Sequence, residues 1–516
     1  MEIEDRLTEL NKLREEASLG GGIKRVEAQH AKGKLTARER IGLLFDPETF
    51  EEVDPFMTHR CINLGMDKKH HLGDSVVVGY GKINNRLAFA FSQDFTVFGG
   101  TLSEAAGQKI CKVMDMAARA GAPFVGIFDS GGARIQEGTD SLHACGEMFI
   151  RNTMYSGVIP QISVILGPTA GGAVYSPALT DFVFMVKGAG QSFITGPNVV
   201  KEVMWEEVSA EELGGAHVNA IKSGNAHFAT DSEEECFQLV RKFLSFIPQN
   251  WKEKPAVVDN NDDTQRRNED LSHIVPPNPS KAYDIRRVIK KVVDNGDFLE
   301  VQEKFARNVV VGFARMGGRS AGIIANQPMH LAGVLNIDAS DKAARFIRFC
   351  DCFNIPLVTF VDVPGYMPGT EQEFGGIIRH GAKILFAYSE ATVPKISVIL
   401  RKAYGGAYIA MSSRSLKSDI CYAWPSAEIA VLGPEGAADI IFRDEIAKAP
   451  NPEERRKDLI QEYRNKFANP YLSAARGYLD DVIDPRETRC KIIKALEMLE
   501  GKETTNPPKK HSNIPL

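Results

Sequence analysis

The chain has 516 residues, 43% hydrophobic and 25% charged, with 62 Lys plus Arg against 67 Asp plus Glu and a formal net charge of -5. That length exceeds one ordinary core and predicts two large domains, and the composition is that of a globular enzyme. The acidic balance supplies no basic field for a nucleic-acid backbone, which argues against nucleic-acid partners, although a few local cations can still bind small anions.

Residues 2–16 pattern as an amphipathic helix ended by Gly20-Gly21-Gly22. A second helix is expected from Val26 to Leu44, with Lys32, Lys34, Arg38 and Arg40 on a solvated face; the alternative has one or two of them meeting ligand phosphates. The opening Met1-Glu2-Ile3-Glu4-Asp5-Arg6 is acidic, with neither an apolar signal core nor a transit-peptide bias, so a cytoplasmic location is expected. From Asp74 to Phe91 the sequence alternates in strand fashion, with Asn84-Asn85 as a hairpin turn, and the sheet is expected to begin there. Residues 101–120 carry helical periodicity; Pro123 to Phe128 and Gln161 to Leu166 read as buried strands. Strand and helix alternate, which predicts an α/β fold. The longest apolar runs, such as Ile162 to Leu166 and Pro356 to Val361, fall far short of the roughly 18 residues of a membrane helix.

Between about 249 and 280 the composition shifts to Asn, Asp, Pro and Ser, through Val258-Asp259-Asn260-Asn261-Asp262-Asp263 and Val275-Pro276-Pro277-Asn278-Pro279. That is a linker signature. The expected domains are 1–255 and 281–516, joined by a linker at 256–280. A helix is expected near Tyr283, strands return from Val309 to Ala325, and the tail from about 503 reads as extended.

The two halves repeat one another. Pro160 to Ala173 aligns without gaps with Pro394 to Ala407 and is identical at nine of fourteen positions, an offset of 394 − 160 = 234. Other landmarks keep the spacing: Gly100, Leu102, Lys109, Pro123 and Asp129 precede Gly333, Leu335, Lys342, Pro356 and Asp362 by 233. Downstream, Gly196-Pro197 and Gly433-Pro434 sit 237 apart, so the repeated folds are expected over about 60–250 and 285–500. Each copy ends a buried strand in Gly-Gly-Ala. A strand entering a helix through glycines leaves unpaired backbone N–H groups at the positive end of the helix dipole, which suits them to hold an oxyanion. The alternative is that the glycines only permit tight packing. Asp129-Ser130-Gly131-Gly132-Ala133-Arg134 offers a second glycine turn in the first half.

Other chemistries lack support. Ser130 is not in a G-x-S-x-G elbow, the eleven histidines show no metal-ligand spacing, and adjacent His70-His71 are expected to point opposite ways on a strand. The eight cysteines include no C-x-x-C pair, which argues against a zinc ribbon and fits buried thiols. Gly188-Ala189-Gly190 lacks the third glycine of a dinucleotide fingerprint, and no Walker loop occurs. Arg134 and Glu137 are expected to pair, with Glu137 a candidate general base; Phe346, Phe349 and Phe353 are read as core.

Ser92 to Val97, Asp129 to Gly138, Gly171 to Ala178, Ile377 to Lys383, Arg401 to Tyr408 and the terminal Lys509 to Leu516 together resemble the carboxyltransferase subunits of biotin-dependent acyl-CoA enzymes. These include the propionyl-CoA carboxylase β subunit, the methylmalonyl-CoA decarboxylase α subunit and the transcarboxylase core. The resemblance implies two tandem crotonase-like (ClpP/crotonase superfamily) domains with β-β-α superhelical repeats, the first on the acyl-CoA side and the second on the biotin side. It implies that Gly171 and Gly172 hold the thioester oxygen, that Gly406 and Ala407 hold the biotin ureido oxygen, and that Gly131, Gly132, Ala133, Arg134 and Ile409 contact substrate. It also implies a homo-hexamer, a dimer of trimers, whose active site lies between neighbouring subunits, and no metal in this chain. Biotin would arrive on a separate biotin carboxyl carrier protein, since the chain lacks a Met-Lys-Met site, with a biotin carboxylase subunit or membrane decarboxylase subunits as further partners. Thr169 stands where cysteine is common, and Ile409 where many propionyl-CoA carboxylases have Asp, which leans toward a decarboxylase or transcarboxylase. A biotin-independent hydratase or isomerase, which needs a positioned carboxylate base, and a non-catalytic scaffold for biotin-bearing partners are the competing readings.

Overall fold

Two consecutive residues with positive φ make the tight turn whose twist matches a β-hairpin, and the chain uses this device once in each half. In the computed structural model, which describes residues 3–259 and 261–516, Asn84 and Asn85 adopt φ of 52° and 62°. They pair Val76 with Gln93 through Ile83 with Arg86. Gly317 and Gly318, at φ 60° and 77°, pair Val309 with Asn326 through Met316 with Arg319. Glu2 of the expected first helix and Asn260 of the expected linker lie outside the described residues.

The chain divides into two units, up to Glu253 and from Lys254. The first contains β1 (Glu51–Val53), β2 (Val76–Ile83), β3 (Arg86–Gln93), β4 (Phe124–Phe128), β5 (Gln161–Ile165), β6 (Pro168–Ala170), β7 (Phe182–Val186), β8 (Gln191–Phe193) and β9 (Phe228–Thr230). Its main sheet has the order β1-β2-β3-β4-β5-β7-β9, and β6 pairs with β8 apart from it. The second contains β10 (Phe298–Val301), β11 (Val309–Met316), β12 (Arg319–Asn326), β13 (Leu357–Val363), β14 (Lys395–Tyr404), β15 (Ile420–Ala423), β16 (Glu428–Ala430) and β17 (Asp481–Val482). Its order is β10-β11-β12-β13-β14-β15-β17, with β16 on the end of β14. The strand orders match element for element. In each sheet the first three strands are antiparallel and the rest parallel. Each sheet begins one strand earlier than its hairpin, since β1 precedes the expected start at Asp74.

Helices cover the sheets, and the repeated lysines fasten them. Lys109, in the helix Glu104–Ala120, donates to the carbonyls of Gly73 and Val76 at 2.8 and 2.7 Å. Lys342, in Ile337–Cys352, donates to those of Gln302, Phe305 and Val309 at 2.9, 2.9 and 2.8 Å. Val76 and Val309 are themselves 233 apart, so the two lysines clamp the same place in the repeat. Burial pushes Lys109 down to about 8 and Lys342 to about 7. Phe346, Phe349 and Phe353 are core, as expected.

Three expectations are corrected. The single helix expected from Val26 to Leu44 is two, Ile23–His30 and Ala37–Leu44. Gly33, at φ 70°, lies in the break, and Thr36 opens the second helix with a capping box closed by Glu39. Thr36→Ala is expected to cost about 1 kcal/mol, read as a lowered urea midpoint of the first unit. His70 and His71 lie on no strand: the His70 ring stacks on His59 with centroids 4.8 Å apart. The stretch 256–280 is counted in the second unit and places Leu271, Ile274 and Val275 in its core. Its prolines cannot donate to a ladder, but the carbonyls of Pro276, Asn278 and Lys281 accept from Arg401 Nη1 at 3.3, 3.0 and 2.9 Å.

Candidate active site

In each unit a glycine turn follows the fourth strand and a second follows the chain leaving the fifth, so the sheet brings two turns side by side. In the first unit Ser130 N–H donates to the Pro168 carbonyl at 2.8 Å, and a Cβ on Gly132 would come within 3.3 Å of the Ala170 oxygen. The turn after β4 includes Gly132 at φ 98°, and the turn after β6 has Gly171 at φ 64°. In the second unit Val363 pairs with Ala403 across β13 and β14, and Gly405 repeats the left-handed conformation of Gly171 at φ 59°. A Cβ at either of these left-handed positions would be strained.

An inventory of the backbone donors identifies those free for a ligand. Around β4, Gly131 N–H donates to Gly99 at 2.9 Å and Arg134 N–H to Leu102 at 2.9 Å, while Gly132 N–H donates to the Ser130 hydroxyl at 3.0 Å. The Ala133 amide alone in that run has no acceptor among the described residues. At the other turn, Gly171 N–H donates to the Ile194 carbonyl at 3.0 Å. Gly172, exposed in the first turn of the 3₁₀ segment Gly171–Val174, faces no helical carbonyl. The open donors are therefore Ala133 and Gly172, and Gly171 supplies the bend.

The second unit reproduces this pattern. Leu335 N–H donates to Gly365 at 3.1 Å and Met367 N–H to Leu335 at 2.8 Å, leaving the Tyr366 amide in the place of Ala133. Gly406 and Ala407 stand in the first turn of the helix Gly405–Ala410, where N–H groups lack intrahelical acceptors. A Cβ on Gly172 or Gly406 would meet nothing within 4 Å. Ile409 is 41% exposed one turn on. Sequence reasoning missed Tyr366, whose only signal is its 233-residue offset from Ala133.

Charged residues brace the turns from behind. Asp129, 0% exposed, accepts from Lys34 at 2.8 Å, Arg40 at 2.8 Å and Gln29 at 3.2 Å, and Arg40 also pairs with Glu233 at 2.7 Å. Arg38 pairs with Glu52. Of the four cations expected on a solvated face, only Lys32 is exposed. The equivalent carboxylate, Asp362, is held by Arg401 Nε at 3.0 Å. Arg401 aligns with Gly167, where any Cβ would lie 1.8 Å from Asp129 Oδ1. One copy carries its cation on the strand; the other makes room for cations from the N-terminal helices.

Arg134 is also a brace. Its guanidinium, 1% exposed, meets Asp74 at 2.8 Å and Glu137 at 3.2 Å, so it is turned away from a ligand lying on the exposed turns. The expected pair with Glu137 is present, and Glu137 also accepts from the Glu104 amide at 2.7 Å. A carboxylate engaged on both sides is poorly placed to act as a general base. Among the described residues there is no group of three or more His, Cys, Asp or Glu that could hold a metal, and no helix is long and apolar enough to cross a membrane.

Comparison with known proteins gives the family and the fold. Residues 28–514 match the carboxyl transferase domain family. The chain is 57% identical to the carboxyltransferase subunit of propionyl-CoA carboxylase from Haloferax mediterranei, covering 100% of both chains. It is 56% identical to the methylmalonyl-CoA decarboxylase α subunit of Propionigenium modestum, covering 99% of each. Its fold superposes with a TM-score of 0.98, at 54% identity and over 100% of this chain and 99% of the other, on a crystal structure of transcarboxylase 12S. That structure is described as a hexamer with methylmalonyl-coenzyme A and methylmalonic acid bound.

Proposed function

The chain belongs to the carboxyl transferase domain family, and from that premise we propose that it is the carboxyltransferase subunit of a biotin-dependent acyl-CoA enzyme. Its substrates are propionyl-CoA or methylmalonyl-CoA and biotin presented on a separate carrier chain. The observation that carries this reading is the pair of open amide sets, Ala133 with Gly172 and Tyr366 with Gly406 and Ala407. The first set receives the thioester oxygen, where negative charge collects when the α-carbon becomes an enolate. The second receives the ureido oxygen. Backbone donors fixed before the reaction stabilise such charge without reorganising.

In the decarboxylating direction the bond between the α-carbon and its carboxylate breaks and its electron pair enters the enolate, held at Ala133 and Gly172; biotin, held at Tyr366, Gly406 and Ala407, would supply the ureido nitrogen that accepts CO2 and the proton for the α-carbon. No side chain of this protein need gain or lose a proton. Glu137→Gln is therefore expected to keep most of its transfer activity. The hydratase or isomerase reading predicts instead a turnover that needs no biotin and that falls about 100-fold or more in Glu137→Gln, the usual contribution of a general base, and a steady-state assay with and without biotin separates the two.

The assembly proposed is a homo-hexamer, a dimer of trimers, with the active site shared by neighbouring subunits. Support comes from apolar side chains exposed in each unit: Val203, Met204 and Trp205 at 66, 63 and 88% in the first, and Val431, Ile440 and Ile441 at 80, 61 and 60% in the second. Apolar exposure on this scale marks an interaction surface. The further partners are a biotin carboxyl carrier protein and either a biotin carboxylase or membrane decarboxylase subunits; the apolar Ile409 favours the decarboxylase or transcarboxylase setting.

The deciding experiment incubates the purified chain with carboxyl-labelled methylmalonyl-CoA, malonyl-CoA or glutaconyl-CoA and free biotin as acceptor, or with methylcrotonyl-CoA and labelled carboxybiotin as donor. Label is expected to pass to biotin from methylmalonyl-CoA, and no transfer with any of the four would overturn the reading.

A further inference from the structure

At the end of each sheet away from the glycine turns, the fourth strand is entered from a proline, Pro123 in the first unit and Pro356 in the second. Phe89 N–H donates to the Pro123 carbonyl at 2.9 Å and Gly322 N–H to the Pro356 carbonyl at 2.8 Å. The next ladder donor would be the amide of the proline itself, which proline lacks, so the carbonyls of Leu87 and Ser320 lose their strand partner. In the first unit the segment after the helix Glu233–Leu244 repairs this. Gln249 Nε2 donates to the Leu87 carbonyl at 2.9 Å, and Gln249 Oε1 accepts from Arg86 Nε at 2.9 Å. Asn250 Nδ2 then donates to the Gly121 carbonyl at 2.8 Å, and Trp251 N–H to the Val158 carbonyl at 3.2 Å.

The second unit has the receiving groups without the segment. Arg86, Leu87, Gly121 and Val158 correspond, at offsets of 233 or 234, to Arg319, Ser320, Asn354 and Thr392. These four line a cavity of about 420 Å³ walled by Val393 and Leu499. Both groups that the Gln249 carboxamide joins are open here. Arg319 Nε is buried with no hydrogen-bond partner, while the terminal nitrogens reach Glu500 at 3.0 Å and Glu497 at 3.7 Å. The Ser320 carbonyl is turned away from β11, because the Arg315–Ser320 pair is one step from the Met316–Arg319 pair that closes the turn. No donor reaches it among the described residues. The Ser320 hydroxyl is also buried and unpartnered. Buried polar atoms are normally satisfied, and several left open in one place are costly. The chain after the equivalent helix, Thr488–Met498, brings Glu503, Thr504 and Thr505 to the cavity and no carboxamide.

We propose that this cavity is a docking site for a polypeptide partner that presents a glutamine side chain. The carboxamide oxygen accepts from Arg319 Nε and its nitrogen donates to the Ser320 carbonyl, as Gln249 does with Arg86 and Leu87. A polypeptide fits better than a free amide because Asn354 and Thr392, which stand where the first unit holds the two residues after Gln249, lie in the same cavity. The volume is that of a small-ligand pocket, enough for one side chain and the backbone beside it.

The test measures fluorescence anisotropy of a labelled peptide, Ile-Pro-Gln-Asn-Trp-Lys-Glu, which copies residues 247–253, against the full chain. Saturable binding is expected, weakened about 10-fold or more when the peptide's glutamine is replaced by methionine, because two hydrogen bonds are lost. Arg319→Lys keeps the charge that faces Glu500 and deletes Nε, and it should weaken binding to the same degree. Carboxyl transfer to free biotin should be unchanged in that variant, since the cavity is at the opposite ends of the strands from the turns. If Arg319→Lys does not fold, Thr505→Trp, at an exposed position on the cavity wall, obstructs the site instead. No saturable binding would overturn the proposal, as would binding indifferent to both the methionine peptide and the cavity variant. Propionamide binding as tightly as the peptide would overturn the polypeptide partner in favour of a free amide. A smaller assembly of Arg319→Lys in sedimentation would also overturn it, by seating a second copy of this chain in the cavity.

Discussion

Gly406→Pro is expected to slow carboxyl transfer to free biotin about 10²–10³-fold, the loss typical of removing one oxyanion donor, while the protein stays folded. Proline deletes the amide hydrogen and puts a ring carbon in its place. It is tolerated in the first turn of a helix, where the N–H has no intrahelical acceptor, and the space around Gly406 is open, with nothing within 4 Å of an added Cβ. Gly172→Pro should do the same on the acyl-CoA side, for the same reasons. The controls are Gly172→Ala and Gly406→Ala, which keep the amide and fill empty space, and these should remain near the wild-type rate. Proline variants that fold and turn over normally would remove the oxyanion role from these turns. Alanine variants as impaired as the prolines would show that shape, not the N–H, matters.

Arg40→Leu is expected to destabilise the first unit by about 3–5 kcal/mol, the usual result of removing one partner from a buried ion pair. Arg40 is 0% exposed and bridges two buried carboxylates, Asp129 at 0% and Glu233 at 6%. Asp129 would keep Lys34 and Gln29, but Glu233 would lose the ion pair that holds both its oxygens. The double variant Arg40→Leu/Glu233→Leu should therefore recover part of the loss, seen as a urea midpoint between the single variant and the wild type. A loss below about 0.5 kcal/mol, the range of ordinary surface changes, would contradict the buried bridge. Asp129 backs directly onto the turn that carries Ala133, so the single variant should also lose transfer activity at denaturant concentrations where the wild type is still folded.

Much of the candidate site is written locally. Gly171 and Gly405 are legible because a bend with φ near 60° admits few residues other than glycine. The strands at 124–128 and 161–165 are legible because runs of apolar residues bounded by Pro and Asp or Gly leave few other choices. The break at Gly33 was legible in principle, since Thr36 and Glu39 make a capping box, but the apolar periodicity on either side of it suggests one continuous helix.

What the sequence by itself determined is the duplication, the two glycine turns and the family resemblance, because each is carried by residue identity at fixed spacing. What only the tertiary structure decided is how individual groups are occupied. Gly171 and Gly172 are indistinguishable as letters, yet the first donates to Ile194, 23 residues on, and the second is open. Arg40 and Lys32 sit on one basic stretch, yet one is sealed against Asp129 and the other is solvated. The physical reason is common to both: hydrogen-bond and charge satisfaction depends on partners brought from distant parts of the chain, and no local pattern records which donor is left over.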